Sequence, residues 1–335
     1  MKKFADRFEI PSPLLSCTAS PLSFSPLRHF VSFPGNPMLI ALLHSRIRVE
    51  ERLLIEAFEA RGVDVRPIDL RDVVFDLADP APWREFDVVL DRSLSLTSSL
   101  AAVRILEGFG VRCVNPAAAI DTCADKLSTS LALVRAGVPT PRVTVGLSEE
   151  AAQRAVEALG YPAVIKPTLG SWGRLVARVN DRDSAEALIE HRFTLGGVHH
   201  HVLYAQEHID KPGSDVRVFV VGGRAIAAIR RHSAHWVTNT ARGAKAEGLA
   251  VSPELADLCE RAVGAVGADI AAVDVLECPR RGAMVNEINH SMEFRNSIDT
   301  TGVDIPGLMV EHVLGIASGG TAGLAVAAPL AGAAR

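Results

Sequence analysis

"IAAVDVLECPRRGAMVNEINH", residues 270–290, decides the fold. Two apolar runs flank a short polar turn, and each run carries polar side chains where a strand would otherwise be buried: Asp274 in the first, Glu287 and Asn289 in the second. Side chains on a strand alternate between faces, so Glu287 and Asn289 point the same way. A carboxylate among aliphatic neighbours is costly when buried without a partner. With Asp274 opposite Glu287 and Asn289, three oxygen-bearing side chains converge on one face. Mg²⁺ takes such a set, a few carboxylate or amide oxygens with phosphates and waters completing the shell. The same residues also fit a hydrogen-bonded polar pocket between strands.

Working outward, strands alternate with helices. "LIALLH" is followed by a helical pattern in "RVEERLLIEAFEARG", where Leu53, Leu54, Ala57 and Phe58 form an apolar stripe and Gly62 the stop. "DVRPIDL" and "DVVLDRS" read as further strands, with "SLAAVRILEGFG" a helix before "VRCVN". This is a layered βα unit of about one domain. A helix at "DKLSTSLALVRAG", a strand at "TPRVTVG", a helix at "SEEAAQRAVEALG" and a strand at "YPAVIKP" follow, then the turn "TLGSWGR" and the strand "LVARVN". The last section is richer in strands: "VLYAQEHI", "DVRVFVVGG", "RAIAAIRR" and the opening pair. The fold class is therefore α/β, without a 20 to 50 residue repeat.

The chain has 335 residues, 48% of them apolar and 22% charged, with a formal charge of −4. It is an ordinary globular composition, long enough for two or three domains at roughly 100–200 residues each. Nothing in it advertises nucleic acid, and no run has the ~20 strongly apolar residues of a membrane span. Cys17, Cys113, Cys123, Cys259 and Cys278 are scattered, without C-x-x-C spacing, so neither a disulfide framework nor a zinc site is implied and a reducing cytoplasm fits. Residues 1–37, rich in Ser and Pro, read as a disordered extension without a secretory h-region, and Met38 before the first strand is the expected start of the folded protein. The Ala/Gly-rich residues 318–335 read as a loose tail.

"IKPTLGSWGR" places Lys166 at a strand end and Gly170, Ser171, Gly173 and Arg174 in a turn. Glycines let backbone N–H groups approach an anion, and flanking cations favour phosphate, although a plain hairpin turn with solvated charges has the same composition. It is not a Walker loop, because G-x-x-x-x-G-K-[ST] is absent. Gln206 and Glu207 end an apolar strand, where they could hold a nucleotide base or ribose or be polar for solvation alone. The segment 214–243 reads as two strands joined at Gly222 and Gly223, then a loop holding Arg231, Asn239 and Arg242. Planar guanidinium groups suit carboxylate and phosphate. The run His199, His200 and His201 cannot turn three consecutive side chains to one metal, and Cys123 has no indicated His partner. Trp236 reads as packing beside functional neighbours.

In this order, "IKPTLGSWGR", "QEHIDKPGSDVRVFVVGGRAIAAIRR", "NTARG", "AAVDV" and "VNEINH" resemble the ATP-grasp superfamily of carboxylate–amine ligases. "SAHWVTNTARG", "VNEINHSMEF" and "NSIDTTGVDIPG" are similar to one group within it, the LysX-type ligases of lysine biosynthesis, related to the RimK-type glutamate ligases. The similarity runs from about Met38 to about Ala317. It implies an N-terminal pre-ATP-grasp domain at 38–124 and two α+β subdomains, 125–202 and 203–317, enclosing ATP.

The resemblance also implies a chemistry: ATP phosphorylates a carboxylate, and an amine attacks the acyl phosphate to leave an amide, ADP and phosphate. Lys126 and Lys166 would hold the ATP phosphates under a loop of Ser171, Trp172, Gly173 and Arg174. Gln206 and Glu207 would meet the adenine and Asp215 the ribose, while Asp274, Glu287 and Asn289 would bind two magnesium ions. Arg231, Asn239 and Arg242 would steady the transferring phosphoryl group and the oxyanion of the tetrahedral intermediate. Arg295, Asn296, Ser297 and Thr301 would lie near the amino-acid substrate. The implied partners are α-aminoadipate, or glutamate one methylene shorter, and a small acidic carrier protein, LysW, whose C-terminal glutamate offers its side-chain carboxylate to the amine; RimK-like tailing of a protein C-terminus, or an arginine-pathway ligase using glutamate as the amine, is the alternative. A homo-oligomer is expected. An NAD-dependent oxidoreductase is disfavoured because G-x-G-x-x-G is missing after the first strand. A regulator built on a degenerate ligase scaffold would have no use for metal-binding geometry.

Overall fold

The structure, a computed structural model, describes residues 38–170, 173–238 and 245–319. The sequence readings on 1–37 and 320–335 lie outside the described residues.

The first section is a parallel sheet covered on both faces. β1 (Leu39–His44), β2 (Asp64–Asp69), β3 (Val88–Asp91) and β4 (Cys113–Val114) pair in the order β2-β1-β3-β4. Parallel strands buried on both faces carry continuous apolar runs, and the alternation then decides which helix each residue meets. Ile40, Leu42, Val88 and Leu90 share a core with Leu54 and Phe58 of α1 (Val49–Glu59), two fully buried residues four apart on one helical face. Ala41, Leu43 and Val89 face the other way, onto Val103 and Leu106 of α2 (Leu96–Gly108), whose first turn is capped by Ser95.

The middle section opens with α3 (Ala117–Ala124) and α4 (Lys126–Arg135), the latter capped by the Asp125 carboxylate. β5 (Val143–Gly146), β6 (Ala163–Lys166), β7 (Ala177–Val179) and β8 (Leu203–Glu207) form an antiparallel sheet in the order β5-β8-β6-β7. α5 (Glu149–Leu159) and α6 (Arg182–Leu195) cover one face, packing Ala152, Val156, Ala185 and Ile189 on Ala163, Ile165, Leu203 and Ala205. By the strand alternation, Lys166, Tyr204 and Gln206 occupy the opposite face.

The last section is a five-stranded antiparallel sheet, β11-β10-β9-β12-β13, built from β9 (Ser214–Val221), β10 (Arg224–His232), β11 (Lys245–Leu249), β12 (Ile270–Cys278) and β13 (Gly282–Asn289). Gly222 and Gly223 make the β9–β10 turn with φ of +56° and +73°, the left-handed geometry of a two-residue hairpin. One face of this sheet packs Val216, Val218, Val273 and Val275 against α7 (Pro253–Val266). The other face is apolar at one end, with Phe219, Ile229 and Ala272, and charged at the other, with Asp215, Arg217, Arg231 and Asp274. α8 (Arg295–Thr301) and α9 (Ile305–Ala317) close the chain, and α9, with nine of its thirteen residues buried, returns to the core of the first section.

The helices α3, α6, α7, α8 and α9 and the strand β11 are additions to the sequence reading. The signals for α7 were present: the Ser252 side-chain oxygen accepts from the Leu255 N–H as the N-cap, Pro253 follows at the first position, and Gly267 ends the helix at φ +68°. α9 gave none of the usual periodicity, because it is apolar nearly all round. Among the described residues no helix is long and apolar enough to cross a membrane.

Candidate active site

Three lysines from distant parts of the chain approach one another. Lys166, at the end of β6, donates from Nζ to Gln206 Oε1 at 2.8 Å and to Asn286 Oδ1 at 3.0 Å. Lys126 starts α4, where the Asp125 cap and a bond from its own N–H to the Thr168 carbonyl at 2.9 Å fix the backbone. Its Nζ lies 2.7 Å from the Gly170 carbonyl and 3.4 Å from Glu287 Oε1. Lys211 Nζ lies 2.5 Å from Thr238 Oγ1 and 3.9 Å from Asp215 Oδ2. Burial pushes the Lys166 ammonium down to about 8, the Lys126 and Lys211 charges add to that, and Glu287 and Asp274 oppose it. Burial likewise lowers Lys211. Such a cationic cleft favours a polyanion. Gly170 (φ +145°) and Gly173 (φ +65°) bend the adjoining turn in backbone regions that other residues avoid, and Arg174 follows on its exposed side. Ser171 and Trp172 lie outside the described residues.

The acidic partners come from the strand pair read first in the sequence. Asp274 stands opposite Glu287 in the β12–β13 register, and Ala272 opposite Asn289. The register shifts immediately beyond Asp274, a bulge that leaves Asn286 without an opposite number and lets it reach Lys166. Like charges opposite one another on a ladder are destabilising unless compensated, and here the compensation is arginine and lysine. Arg217 donates to both Asp274 oxygens, at 2.7 and 2.9 Å, and Arg231 approaches the same carboxylate at 3.2 Å. Burial raises the Asp274 pKa, but the two guanidinium groups more than offset it and hold the carboxyl below its usual range.

Arg231, 3% exposed, spends its fork on Asp215, at 2.7 and 2.9 Å, and the Thr238 hydroxyl also donates to that carboxylate. Arg231 and Asp215, read separately as phosphoryl and ribose contacts, are thus each other's partners. Asn239 and Arg242 lie outside the described residues. The donor set of Asp274, Glu287 and Asn289 fits Mg²⁺: two carboxylates and an amide, all hard oxygen donors, with Asn289 Nδ2 buried and lacking a hydrogen-bond partner.

Gln206 is buried and holds Lys166, whereas Glu207 is half-buried, accepting from the Arg142 N–H and from Arg281, each at 2.7 Å. The α8 residues are disposed unequally. Arg295 is exposed, 4.0 Å from Glu50, and Asn296 is exposed too. Ser297 is buried, and Thr301 donates its hydroxyl to the Ser297 carbonyl at 2.6 Å. Trp236 packs with Arg178 above its ring at 5.7 Å and His208 beside it, while burial pushes the Cys123 thiol up to about 12.

Sequence reasoning missed four residues at this centre. Lys211 sits in the quoted "IDKPG" and Asn286 in "VNEINH", so each was in view as part of a motif. Arg217 shares a face with Asp215 by alternation, a signal that could have been used. Asn115 gave none; its side chain joins the end of β4 to the Asp269, Ile270 and His290 backbone through four bonds of 2.7–2.9 Å.

Comparison with known proteins finds two family matches in succession. Residues 40–122 match the LysX preATP-grasp domain and residues 123–313 the RimK-like ATP-grasp domain. The chain is 31% identical over 279 residues to the alpha-aminoadipate–LysW ligase LysX of Sulfurisphaera tokodaii, covering 82% of this chain and 98% of that protein. It is also 31% identical over 282 residues to the glutamate–LysW ligase ArgX of the same organism, with the same coverage. Among solved structures, a RimK domain ATP-grasp protein from Sphaerobacter thermophilus superposes with a TM-score of 0.69 at 33% identity, covering 82% of this chain and 99% of that one. With cationic and acidic residues of both sheets gathered at one cleft and both families matched in sequence order, the chain belongs to the RimK-like ATP-grasp family and is an ATP-dependent, ADP-forming ligase of carbon–nitrogen bonds.

Proposed function

We propose that the chain joins the amino group of α-aminoadipate to the side-chain carboxylate of the C-terminal glutamate of a LysW-type carrier protein, an ATP-driven step of lysine biosynthesis. The observation that carries this reading is the LysX preATP-grasp match over residues 40–122 ahead of a site where Lys126, Lys166, Asp274 and Glu287 come together. In this reading Lys126 and Lys166 bind the ATP phosphates, with the turn through Arg174 over them. Gln206 and Glu207 flank the adenine, and Asp215, the ribose contact expected from sequence, serves here to hold Arg231. Asp274, Glu287 and Asn289 would hold Mg²⁺, which neutralises phosphate charge when bound.

The carrier carboxylate attacks the γ-phosphorus, breaking its bond to the ADP oxygen. The amine then attacks the acyl carbon, phosphate leaves with the C–O bond, and the amine gives up a proton. Protein groups contribute mainly positioning and charge. Arg217 and Arg231 lock the Asp274 carboxylate in one orientation. Asn239 and Arg242 would steady the phosphoryl group and the tetrahedral oxyanion, with Arg231 acting on them only through the Asp215 and Asp274 carboxylates that it holds, and Arg295, Asn296, Ser297 and Thr301 border the amino acid. The domain limits that go with this reading are 38–124, 125–202 and 203–317.

A second reading uses glutamate as the amine, supported by the equal identity to the ArgX relative. One methylene is worth only about 1–3 kcal/mol of discrimination. The test is ADP release with Mg²⁺ and a carrier ending in glutamate, together with the intact mass of the carrier. Turnover that favours α-aminoadipate and adds its mass less one water is the expected result. Preference for glutamate replaces the first reading by the second, and no turnover with either overturns both.

A further inference from the structure

The parallel sheet of the first section has a switch point that the site described above does not use. Its order, β2-β1-β3-β4, sends the chain from β1 to one side and from β3 to the other, with α1 and α2 on opposite faces. Open α/β sheets bind ligands in the crevice outside the carboxyl ends of the strands where the order reverses. Here that crevice lies between the ends of β1 and β3, at His44 and at Ser93.

Both residues are 6% exposed, and both carry an unpaired polar atom: His44 Nδ1 and Ser93 Oγ make no hydrogen bond. Leaving a buried donor or acceptor unsatisfied costs on the order of 1–3 kcal/mol, and native proteins rarely tolerate it without cause. Two such atoms at one switch point are accounted for by a polar ligand that completes them.

The third wall ties this crevice to the reacting end of the cleft. Arg92, the residue before Ser93, is 2% exposed and donates to Ser291 Oγ at 3.3 Å and to the Met292 carbonyl at 3.1 Å. Asn115 holds the His290 carbonyl at 2.8 Å. The segment they fix, 290–292, begins immediately after Asn289, itself left with an unpartnered side-chain nitrogen. A ligand in the crevice would thus lie beside the segment that follows Asn289.

We propose that the crevice at the carboxyl ends of β1 and β3 holds a carboxylate of the amino acid that supplies the amine, with His44 and Ser93 donating to it. The inference rests on the ligase reading above. An imidazole N–H and a hydroxyl are the donors a carboxylate takes. A dicarboxylic amino acid keeps both its carboxylates free when its amine reacts, so the protein must hold them. The carrier carboxylate, by contrast, has to lie against the phosphates, on the lysine side.

Hydroxylamine separates the two substrates, because it replaces the amine: it attacks the acyl phosphate of the carrier, releasing phosphate and leaving a hydroxamate without entering any amino-acid pocket. Ser93→Ala and His44→Gln would be compared with the unaltered protein in two assays, ligation with the amino acid varied and hydroxamate formation with the carrier varied. The expected result is a KM for the amino acid raised ten-fold or more in each variant, against less than a two-fold change in the carrier KM for hydroxamate formation. Ser93→Ala removes a hydroxyl without a partner, so its thermal midpoint should hold or rise.

An unchanged amino-acid KM overturns the assignment of the crevice while leaving the ligase reading in place. A carrier KM that rises instead assigns the crevice to the carrier's terminal glutamate and overturns the inference. Absence of hydroxamate from the unaltered protein overturns the carrier reading, and the inference with it.

Discussion

Asp274 and Arg217 meet across the β9–β12 ladder as a two-pronged ion pair, Nε to Oδ1 at 2.7 Å and Nη2 to Oδ2 at 2.9 Å. Their side chains are only 10% and 16% exposed, so little water screens them. Removing one partner of a buried pair strands the other's charge.

Arg217→Ala should therefore cost about 2–3 kcal/mol at neutral pH, less than a fully orphaned carboxylate because Arg231 remains at 3.2 Å. The loss has a pH signature. Asp274 is held below its ordinary value, so the stabilisation is complete above about pH 4 and disappears as pH falls through the folded-state value. Urea midpoints of the two proteins should differ most at pH 7 and converge toward pH 2. A gap that stays constant across this range would locate the effect outside the ion pair.

Lys166 sits in the opposite situation. Burial brings its ammonium down to about 8, so the folded protein binds that proton less tightly than the unfolded chain does. Stability should then rise with pH between about 8 and the ordinary lysine value near 10.4. Nucleotide binding should run the other way, since polyphosphate needs the charged form. Above pH 8 the dissociation constant for ATP should climb, approaching ten-fold per pH unit. Calorimetry near pH 8 should show proton uptake through a dependence on buffer ionisation enthalpy. Lys166→Met should remove turnover and raise the thermal midpoint, because it exchanges a strained buried cation for an apolar chain of similar length. A variant that loses midpoint would show that the bonds to Gln206 and Asn286 outweigh the desolvation.

The parts of this protein legible in its sequence are those written in local pattern. β1 announced itself as an apolar run and α1 as a stripe of Leu54 and Phe58, and Asp274 stood out because a carboxylate amid aliphatic residues demands an explanation. What local pattern cannot say is which opposite charge the carboxylate meets. Arg217 and Arg231 are 57 and 43 positions away in sequence and reach it only because β9 lies between β10 and β12. The same limit hid the pairing of Arg231 with Asp215, whose roles were read from separate motifs. Bulges are equally silent: alternation alone puts Asn286 on the far face from Glu287, and the register shift beyond Asp274 is what brings it to Lys166. α9 escaped because a helix buried on nearly every side has no polar face to mark its period.

Asn115 is the strongest test of that non-local wiring. Its amide oxygen accepts from the N–H groups of Asp269 and Ile270 at 2.7 and 2.9 Å, and its nitrogen donates to the carbonyls of Ile270 and His290, both at 2.8 Å. One side chain 5% exposed thus satisfies four backbone groups on two strands' ends. Asn115→Ala leaves those groups without partners in a site too closed for free solvation, and at about 1–3 kcal/mol per unsatisfied group the total should reach at least 3 kcal/mol. Activity should fall as well, because the His290 carbonyl is the anchor next to Asn289; a decrease in kcat of about ten-fold, with the KM for ATP nearly unchanged, is expected from a misplaced end of β13. Asn115→Asp discriminates further. It keeps the two acceptor bonds but turns a carboxylate oxygen toward two carbonyls, so its defect should be greater at pH 7 than at pH 4, where the acid can donate one bond again. If denaturation shows Asn115→Ala as stable as the unaltered protein, the four bonds contribute nothing net, and the link between the first section and the end of β13 runs through other contacts, among them Arg92 and the core shared with Met292 and Phe294.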